Sequence, residues 1–256
     1  MPHATSDLKK FLDNKVHEYN NARFIKGDPI CVPHTFSLKQ DIEIAGFFSA
    51  LIAWGNRTTI IQNANRIMDA MDRSPYHFIV QHQENELKRF LTIKHRTFNA
   101  TDLLYLIHFL KMHYTSYESL EDAFLLNDAA TMRERLINFH RYVFSFEHPE
   151  RTRKHISTPE KNSACKRLNM YLRWMVRNDT HGVDFGIWNK LSMKDLIIPM
   201  DVHVSQVAFR LGLINENKAN WKTAEGLTET LKAFDPNDPC RYDFALFALG
   251  AEERVR

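Results

Sequence analysis

Glycine is scarce in this chain, with 8 glycines among 256 residues, while 44% of the residues are hydrophobic. A chain that is poor in glycine and rich in leucine, phenylalanine, isoleucine and methionine favours helices over a turn-rich β architecture. No alternation of apolar and polar residues is long enough to predict a strand. We predict an all-α fold of roughly ten helices, in a single domain over residues 1–256 whose two helical lobes flank a cleft.

Apolar residues recur at the spacing of amphipathic helices along most of the chain. Ser37 followed by Gln40 is a capping-box pattern, and it predicts the start of a core helix. Residues 147–162 are polar and basic and are predicted to form the longest loop. The predicted helical segments are residues 6–20, 38–54, 58–71, 99–114, 118–126, 129–146, 163–177, 201–212, 220–234 and 238–250.

The cysteines and histidines indicate neither disulfide bonds nor a metal site. Cys31, Cys165 and Cys240 are far apart and odd in number, which excludes a disulfide framework, a zinc ribbon and a four-cysteine iron–sulfur cluster. The 13 histidines do not cluster at metal-ligand spacing, and no glycine-rich phosphate loop occurs. We therefore expect no metal and no cofactor.

The hydropathy of the chain predicts a soluble protein. Residues 1–15 lack the apolar core of a signal peptide. No apolar run reaches the length of a membrane span, so no membrane partner is expected. A cytoplasmic location with reduced thiols is the simplest expectation.

Basic residues concentrate in one stretch, although the formal net charge of the whole chain is only +3. Residues 151–177 contain eight basic side chains and one acid, Glu160, which gives a local net charge of +7. Such a stretch can attract the phosphate backbone of a nucleic acid. A solvated helix face is the alternative, and charge alone does not decide between the two.

Lys166 is predicted to lie close to the start of the helix over residues 163–177. The partial positive charge of a helix N-terminus, together with partial burial, would lower the pKa of this lysine and expose a nucleophilic amine. Arg167 and Arg173 would add to the effect. A neutral amine can attack an electrophilic sugar carbon or form a Schiff base. The alternative is an ordinary surface lysine at a helix start.

Asp201 follows the apolar segment LIIPM and occupies a predicted helix N-cap position. Capping is the commonest role of an aspartate at such a position. A capping carboxylate is also held rigidly, so it can stabilise a cation that develops on a sugar ring. His203, two residues later, is a candidate for contacting a phosphate or Asp201, with an ordinary helix-start histidine as the alternative.

The segment PMDVHVSQVAFRLGL resembles the proline–x–aspartate–valine–histidine signature of the helix-hairpin-helix DNA glycosylase superfamily. The resemblance implies that Asp201 is catalytic and that Lys166 is the lysine of the bifunctional members. The separation of 35 residues between the two is similar to that in the archaeal 8-oxoguanine glycosylases. Most of the chain also resembles an uncharacterised bacterial family that carries SACKRLNMYLRWMVR-like blocks.

The chain departs from the superfamily at the hairpin before Lys166. The usual leucine–proline–glycine–hydrophobic–glycine turn is replaced by HISTPEKNSACKR, which contains no glycine. Asn162 is predicted to adopt a left-handed conformation in place of a glycine. Lys161, Ser163 and Arg167 are candidates for binding DNA phosphates through their side chains and the helix N-terminus.

The resemblance also implies where DNA and an extruded base would be contacted. The segment ALIAWGNRTT falls where the superfamily has the helix that leads to its DNA-inserting loop, which makes Asn56 and Arg57 candidates for DNA binding. An aromatic side chain of the last helices stacks on the extruded base in similar enzymes. The candidates for the base pocket are Trp54, Met170, Phe244 and Phe247. Core packing is the alternative for each aromatic residue.

The activity that the resemblance implies is that of a base-excision repair glycosylase and AP lyase on duplex DNA. It would act on an oxidised purine such as 8-oxoguanine through a Schiff base on Lys166, and a DNA partner implies association with the nucleoid. Two alternatives stay open: a nucleic-acid-binding module that retains the fold without turnover, and activity on RNA or a nucleoside. The glycine-free hairpin favours the module, whereas the presence of both Lys166 and Asp201 favours the enzyme.

Overall fold

The computed structural model describes residues 2–252, and side chains from residue 6 to residue 251. Over this range the chain is helical and contains no β-strand, which confirms the predicted all-α class. The chain divides into two compact units. We call Met1–Phe24 with Thr158–Arg256 the terminal unit, and Ile25–Ser157 the central unit.

The described residues form eleven α-helices, close to the predicted number. In chain order they are α1 (Pro2–Tyr19), α2 (Ala22–Ile25), α3 (Lys39–Leu51), α4 (Arg57–Ala70), α5 (Pro75–Gln81), α6 (Ala100–Ser116), α7 (Met132–Val143), α8 (Lys166–Val176), α9 (Val202–Arg210), α10 (Trp221–Lys232) and α11 (Asp243–Phe247). Short 3₁₀ helices lie at Pro29–Cys31, Pro33–Thr35, Glu84–Phe90, Leu120–Phe124, Leu126–Asp128, Glu150–His155, Pro159–Lys161, Met193–Asp195 and Pro239–Tyr242, and a π-helical turn covers Ala248–Glu252.

The central unit is built around α3, whose apolar sequence is buried against α4 and α5. The capping box predicted at its start is wrong: the N-cap is Leu38, without a side-chain bond, and the Gln40 amide donates instead to the Glu118 carbonyl at 3.1 Å. The buried Glu43 accepts hydrogen bonds from the Tyr114 hydroxyl at 2.8 Å and the Leu120 amide at 3.1 Å. This polar side chain of an otherwise apolar helix therefore joins α3 to α6 and to the start of the Leu120–Phe124 helix.

The terminal unit combines α1 with the last four helices. α11 packs against both α1 and α9, and α10 packs against Pro239–Tyr242. The loop before α8 is attached to the start of α10, because the Trp221 amide donates to the Asn162 carbonyl at 3.2 Å. These contacts place the starts of α8 and α9 in the same unit.

Short helices are where the sequence-based prediction differs most from the structure. The predicted loop over residues 147–162 contains two 3₁₀ helices, and α5 was not predicted at all. Segments of three to seven residues are too short to display a helical period, so hydrophobic spacing does not reveal them. None of the described helices combines the length and apolar character needed to cross a membrane.

Candidate active site

The first turns of α8 and α9 bring together the two residues singled out as a catalytic pair. The Lys166 Nζ atom lies 3.6 Å from the Asp201 Oδ2 atom, and the two side chains are 26% and 28% exposed. Both residues therefore remain reachable from solvent while they contact each other. An amine beside a fixed carboxylate is an arrangement suited to nucleophilic attack with stabilisation of a nearby cation.

Asp201 is held by the helix that it caps. Its Oδ1 atom accepts hydrogen bonds from the backbone amides of His203 at 2.9 Å and Val204 at 3.0 Å. The predicted N-cap is confirmed. Because Oδ1 is engaged by the backbone, Oδ2 is the oxygen that faces Lys166, and the carboxylate is fixed in orientation. The His203 side chain is exposed at the same helix start.

Lys166 is the first residue of α8, in agreement with its predicted place at a helix start. The N-cap residue is Cys165, which makes no side-chain capping bond and has a left-handed backbone with φ of 49°. Because no side chain caps α8 at Cys165, the position of Lys166 depends on the backbone of the preceding hairpin.

That hairpin achieves its turn without glycine. Asn162 has φ of 54°, which confirms the predicted left-handed conformation. Cys165 is a second left-handed position, which no sequence pattern predicted. The Ser163 hydroxyl accepts a hydrogen bond from the Cys165 amide at 3.2 Å, and Lys161 is exposed. Ser163 thus supports the turn itself, while Lys161 remains available to a ligand.

The left-handed backbone at Asn162 makes its substitution informative. Asn162→Ala is expected to lower the free energy of unfolding by about 1 kcal/mol, because alanine is disfavoured at positive φ. Asn162→Gly is expected to leave stability nearly unchanged or slightly higher. Urea denaturation of the two variants measures the difference. Equal stability of the two variants would show that the turn relaxes to a different backbone.

Arg173 and Arg177 correct the interpretation of the basic stretch. Both side chains are buried. They form ion pairs with four carboxylates from outside residues 151–177, namely Asp179, Asp184, Asp238 and Asp243. Burial lowers the pKa of the Arg167 guanidinium to about 10, which leaves this side chain charged at neutral pH. The local charge of +7 is therefore not presented as one surface, because part of it is neutralised inside the terminal unit.

Asp243 is a charged residue of this site that the sequence-based candidates did not include. It is 5% exposed and accepts a hydrogen bond from Arg173 Nη1. Burial raises its pKa to about 6; Arg173 and Lys166 oppose the rise, and Asp201 adds to it. The available sequence signal was an aspartate between aromatic residues in RYDFALF, where a buried carboxyl needs a cationic partner.

The candidates for a base pocket in the terminal unit are mostly core residues. Phe244 is fully buried, with the Arg173 guanidinium 4.5 Å from its ring centre and the Phe24 ring packed edge-on at 5.1 Å. This packing leaves no ring face of Phe244 for a base, so its assignment to the pocket is corrected to core packing. Met170 is 8% exposed. Phe247, half-buried against Phe24 at 6.1 Å, is the more accessible of the predicted aromatic residues here.

The remaining candidates lie in the central unit. The half-buried Trp54 stacks on His155 at 5.9 Å and meets the edge of His95 at 4.9 Å, while its carbonyl accepts a hydrogen bond from His95 Nε2. Asn56 caps α4 by accepting from the Thr59 amide at 3.1 Å. Arg57, the first residue of α4, is half-buried. Trp54 and Asn56 thus have structural roles in this unit.

Metal-ligating side chains are not grouped in the part of the chain that the structure describes: no three histidine, cysteine, aspartate or glutamate residues are arranged to hold an ion. The three cysteines are free thiols.

Comparison with known proteins places most of the chain in one family. The sequence model described as "Protein of unknown function (DUF2400)" matches residues 28–252. No curated protein and no solved structure gives a significant match.

Proposed function

Because the chain belongs to the DUF2400 family of proteins of unknown function, we propose its activity from the geometry of its own site. The proposed function is that of a DNA glycosylase and AP lyase that removes an oxidised purine from duplex DNA. The observation that carries the proposal is the distance of 3.6 Å between Lys166 Nζ and Asp201 Oδ2, at two helix starts 35 residues apart in sequence. An aspartate that only caps a helix does not require a lysine beside its second carboxylate oxygen.

The chemistry assigns a different role to each member of the pair. The neutral Lys166 amine attacks the sugar C1′ atom, the N–C bond forms, and the glycosidic bond breaks with its electron pair leaving on the base. The attacking nitrogen then releases a proton, and the departing base takes one up. Asp201 remains an anion and stabilises the positive charge that develops on the sugar ring. The bond between C1′ and the ring oxygen then breaks, the oxygen keeps the electron pair and takes a proton, and a Schiff base results. β-Elimination removes a proton from C2′ and expels the 3′ phosphate, which cleaves the strand.

The substrate class rests on the resemblance to the helix-hairpin-helix glycosylases. Extrusion of a base costs a few kcal/mol, which stacking and pocket hydrogen bonds would offset. Phe247 is the aromatic candidate for stacking, and Lys161 and His203 are exposed cationic or polar candidates for phosphate contacts. The oxidised purine, 8-oxoguanine above all, is the expected base.

Borohydride trapping tests the proposal. The protein is incubated with duplexes carrying 8-oxoguanine or an abasic site, and borohydride then reduces any Schiff base to a stable covalent complex. We expect a trapped complex with the native protein and a loss of at least about 1000-fold in Lys166→Gln, because the nucleophile is removed. Lys194→Gln, which removes an exposed lysine of the same unit that is not among the candidate site residues, is the control and should still trap.

Other results of this experiment identify the alternatives. Absence of trapping and of base release over a panel of lesions would overturn the enzyme proposal. Salt-dependent duplex binding without cleavage would then support a nucleic-acid-binding module. Trapping that persists in Lys166→Gln would assign the nucleophile to another lysine.

A further inference from the structure

Asn169 is a buried polar residue of α8, three positions after Lys166. It is 1% exposed. Its Nδ2 atom donates a hydrogen bond to the Ala164 carbonyl at 3.0 Å, and its backbone amide donates to the Cys165 carbonyl at 2.9 Å. Asn169 therefore binds the two residues that directly precede Lys166.

The second polar atom of the Asn169 side chain opposes its burial. The Oδ1 atom is buried and has no hydrogen-bond partner among the described residues. An unsatisfied buried acceptor destabilises the folded state, because the bond that it made to water in the unfolded chain is lost. A leucine has nearly the same shape and would avoid this cost at a buried helix position. The asparagine is therefore explained by its Nδ2 contact rather than by core packing.

The Nδ2 contact holds one end of the glycine-free hairpin. The other end is attached to α10, where the Trp221 amide donates to the Asn162 carbonyl at 3.2 Å. Between these two attachments lies Cys165, whose left-handed backbone is unfavourable for a residue that carries a Cβ atom. Cys165 also makes no side-chain capping bond to α8. The bond from Asn169 to Ala164 therefore fixes the peptide that leads into this left-handed residue.

We propose that Asn169 is a positioning residue, which keeps the Lys166 amine beside Asp201 by holding the preceding backbone in its left-handed turn. The inference rests on the proposed glycosylase function. Lys166 is the first residue of α8, so a different backbone at Cys165 would displace the Cα atom from which its side chain extends. Asp201 is fixed separately by its two cap bonds in α9. A misplacement of about 1 Å can slow a reaction by about 100-fold.

Hydrogen exchange tests the contact without any DNA, so its outcome is independent of the proposed function. In Asn169→Leu the Ala164 carbonyl loses its donor, and the backbone amides at positions 165 and 169 should exchange about 5- to 10-fold faster, the equivalent of one hydrogen bond. The urea midpoint should stay close to the native value, because the unsatisfied Oδ1 atom is removed as well. Unchanged exchange at both amides would overturn the inference.

The trapping assay tests the positioning of the amine. At saturating duplex, Asn169→Leu should slow formation of the trapped complex by about 30- to 100-fold, while the Kd for the duplex stays the same. Val16→Ala removes buried methyl groups from α1 of the same unit, so it controls for a general loss of packing and should trap at the native rate. A native rate in Asn169→Leu would overturn the inference alone, whereas a native protein that does not trap would overturn the proposed function and this role with it.

A second replacement at Cys165 separates positioning from folding. Glycine adopts the left-handed conformation without a steric cost, so Cys165→Gly combined with Asn169→Leu should trap about 5-fold faster than Asn169→Leu alone. Cys165→Ala in the same background is the matched control, because it removes the thiol but keeps the Cβ atom, and it should restore nothing. Equal trapping rates in the two double variants would show that Asn169 does not act through the left-handed turn, and would overturn the inference.

Discussion

Asp201→Asn is expected to reduce the rate of base release by about 100- to 1000-fold while leaving the fold intact. The asparagine oxygen can still accept from the His203 and Val204 amides, so the cap of α9 is retained. Only the negative charge next to Lys166 is removed. Single-turnover kinetics on a duplex containing 8-oxoguanine measures the loss, and urea denaturation of the same protein measures stability.

Asp201→Ala separates capping from catalysis. It should lose activity to a similar extent and, in addition, lower the free energy of unfolding by about 1 kcal/mol, because two backbone amides lose their acceptor. If Asp201→Asn retained full activity, the carboxylate would be a helix cap and nothing more. The two variants together therefore distinguish the structural role of Asp201 from the proposed chemical one.

Arg177→Met is expected to cause the largest loss of stability, about 3–5 kcal/mol in the terminal unit. The Arg177 guanidinium lies 2.7 Å from an Asp179 oxygen, 3.0 Å from Asp184 and 2.9 Å from Asp238. Methionine fills similar space but leaves buried carboxylates without their cation. Fluorescence during urea denaturation follows this unit well, because Trp174, Trp188 and Trp221 all belong to it.

The pH dependence of this loss has a definite sign. Burial already raises the pKa of Asp238, and removal of Arg177 should raise it further. A carboxyl whose folded pKa is raised above the unfolded value stabilises the fold at low pH, and this stabilisation is lost as the pH rises through the folded value. The deficit of Arg177→Met should therefore shrink between pH 7 and pH 5.

Control variants identify the origin of the effect. Arg177→Lys keeps the charge but loses the Nε contact with Asp238, so an intermediate loss is expected. Arg210→Met, at the exposed end of α9, should change stability by less than about 0.5 kcal/mol. A deficit in Arg177→Met that does not depend on pH would assign the loss to packing rather than to the unpaired carboxylates.

Local sequence patterns predicted the features that depend on neighbouring residues. The N-cap at Asp201, the start of α8 at Lys166 and the left-handed Asn162 all follow from preferences of a few adjacent positions. The capping box at Ser37 failed because the Gln40 side chain bonds to Glu118, a residue far away in sequence. A local capping pattern therefore predicts the structure only where no residue distant in sequence offers the same side chain a hydrogen bond.

The sequence by itself determined the all-α class, the helix starts that carry Lys166 and Asp201, and the glycine-free turn before them, because each depends on residue type and spacing. Only the tertiary structure decided the 3.6 Å approach of the pair, the burial of Arg173 and Arg177 against distant aspartates, and the place of Asp243. These contacts join residues up to 70 positions apart. Periodicity reports which face of a helix is buried, but it does not identify the residue that a charged side chain will meet there.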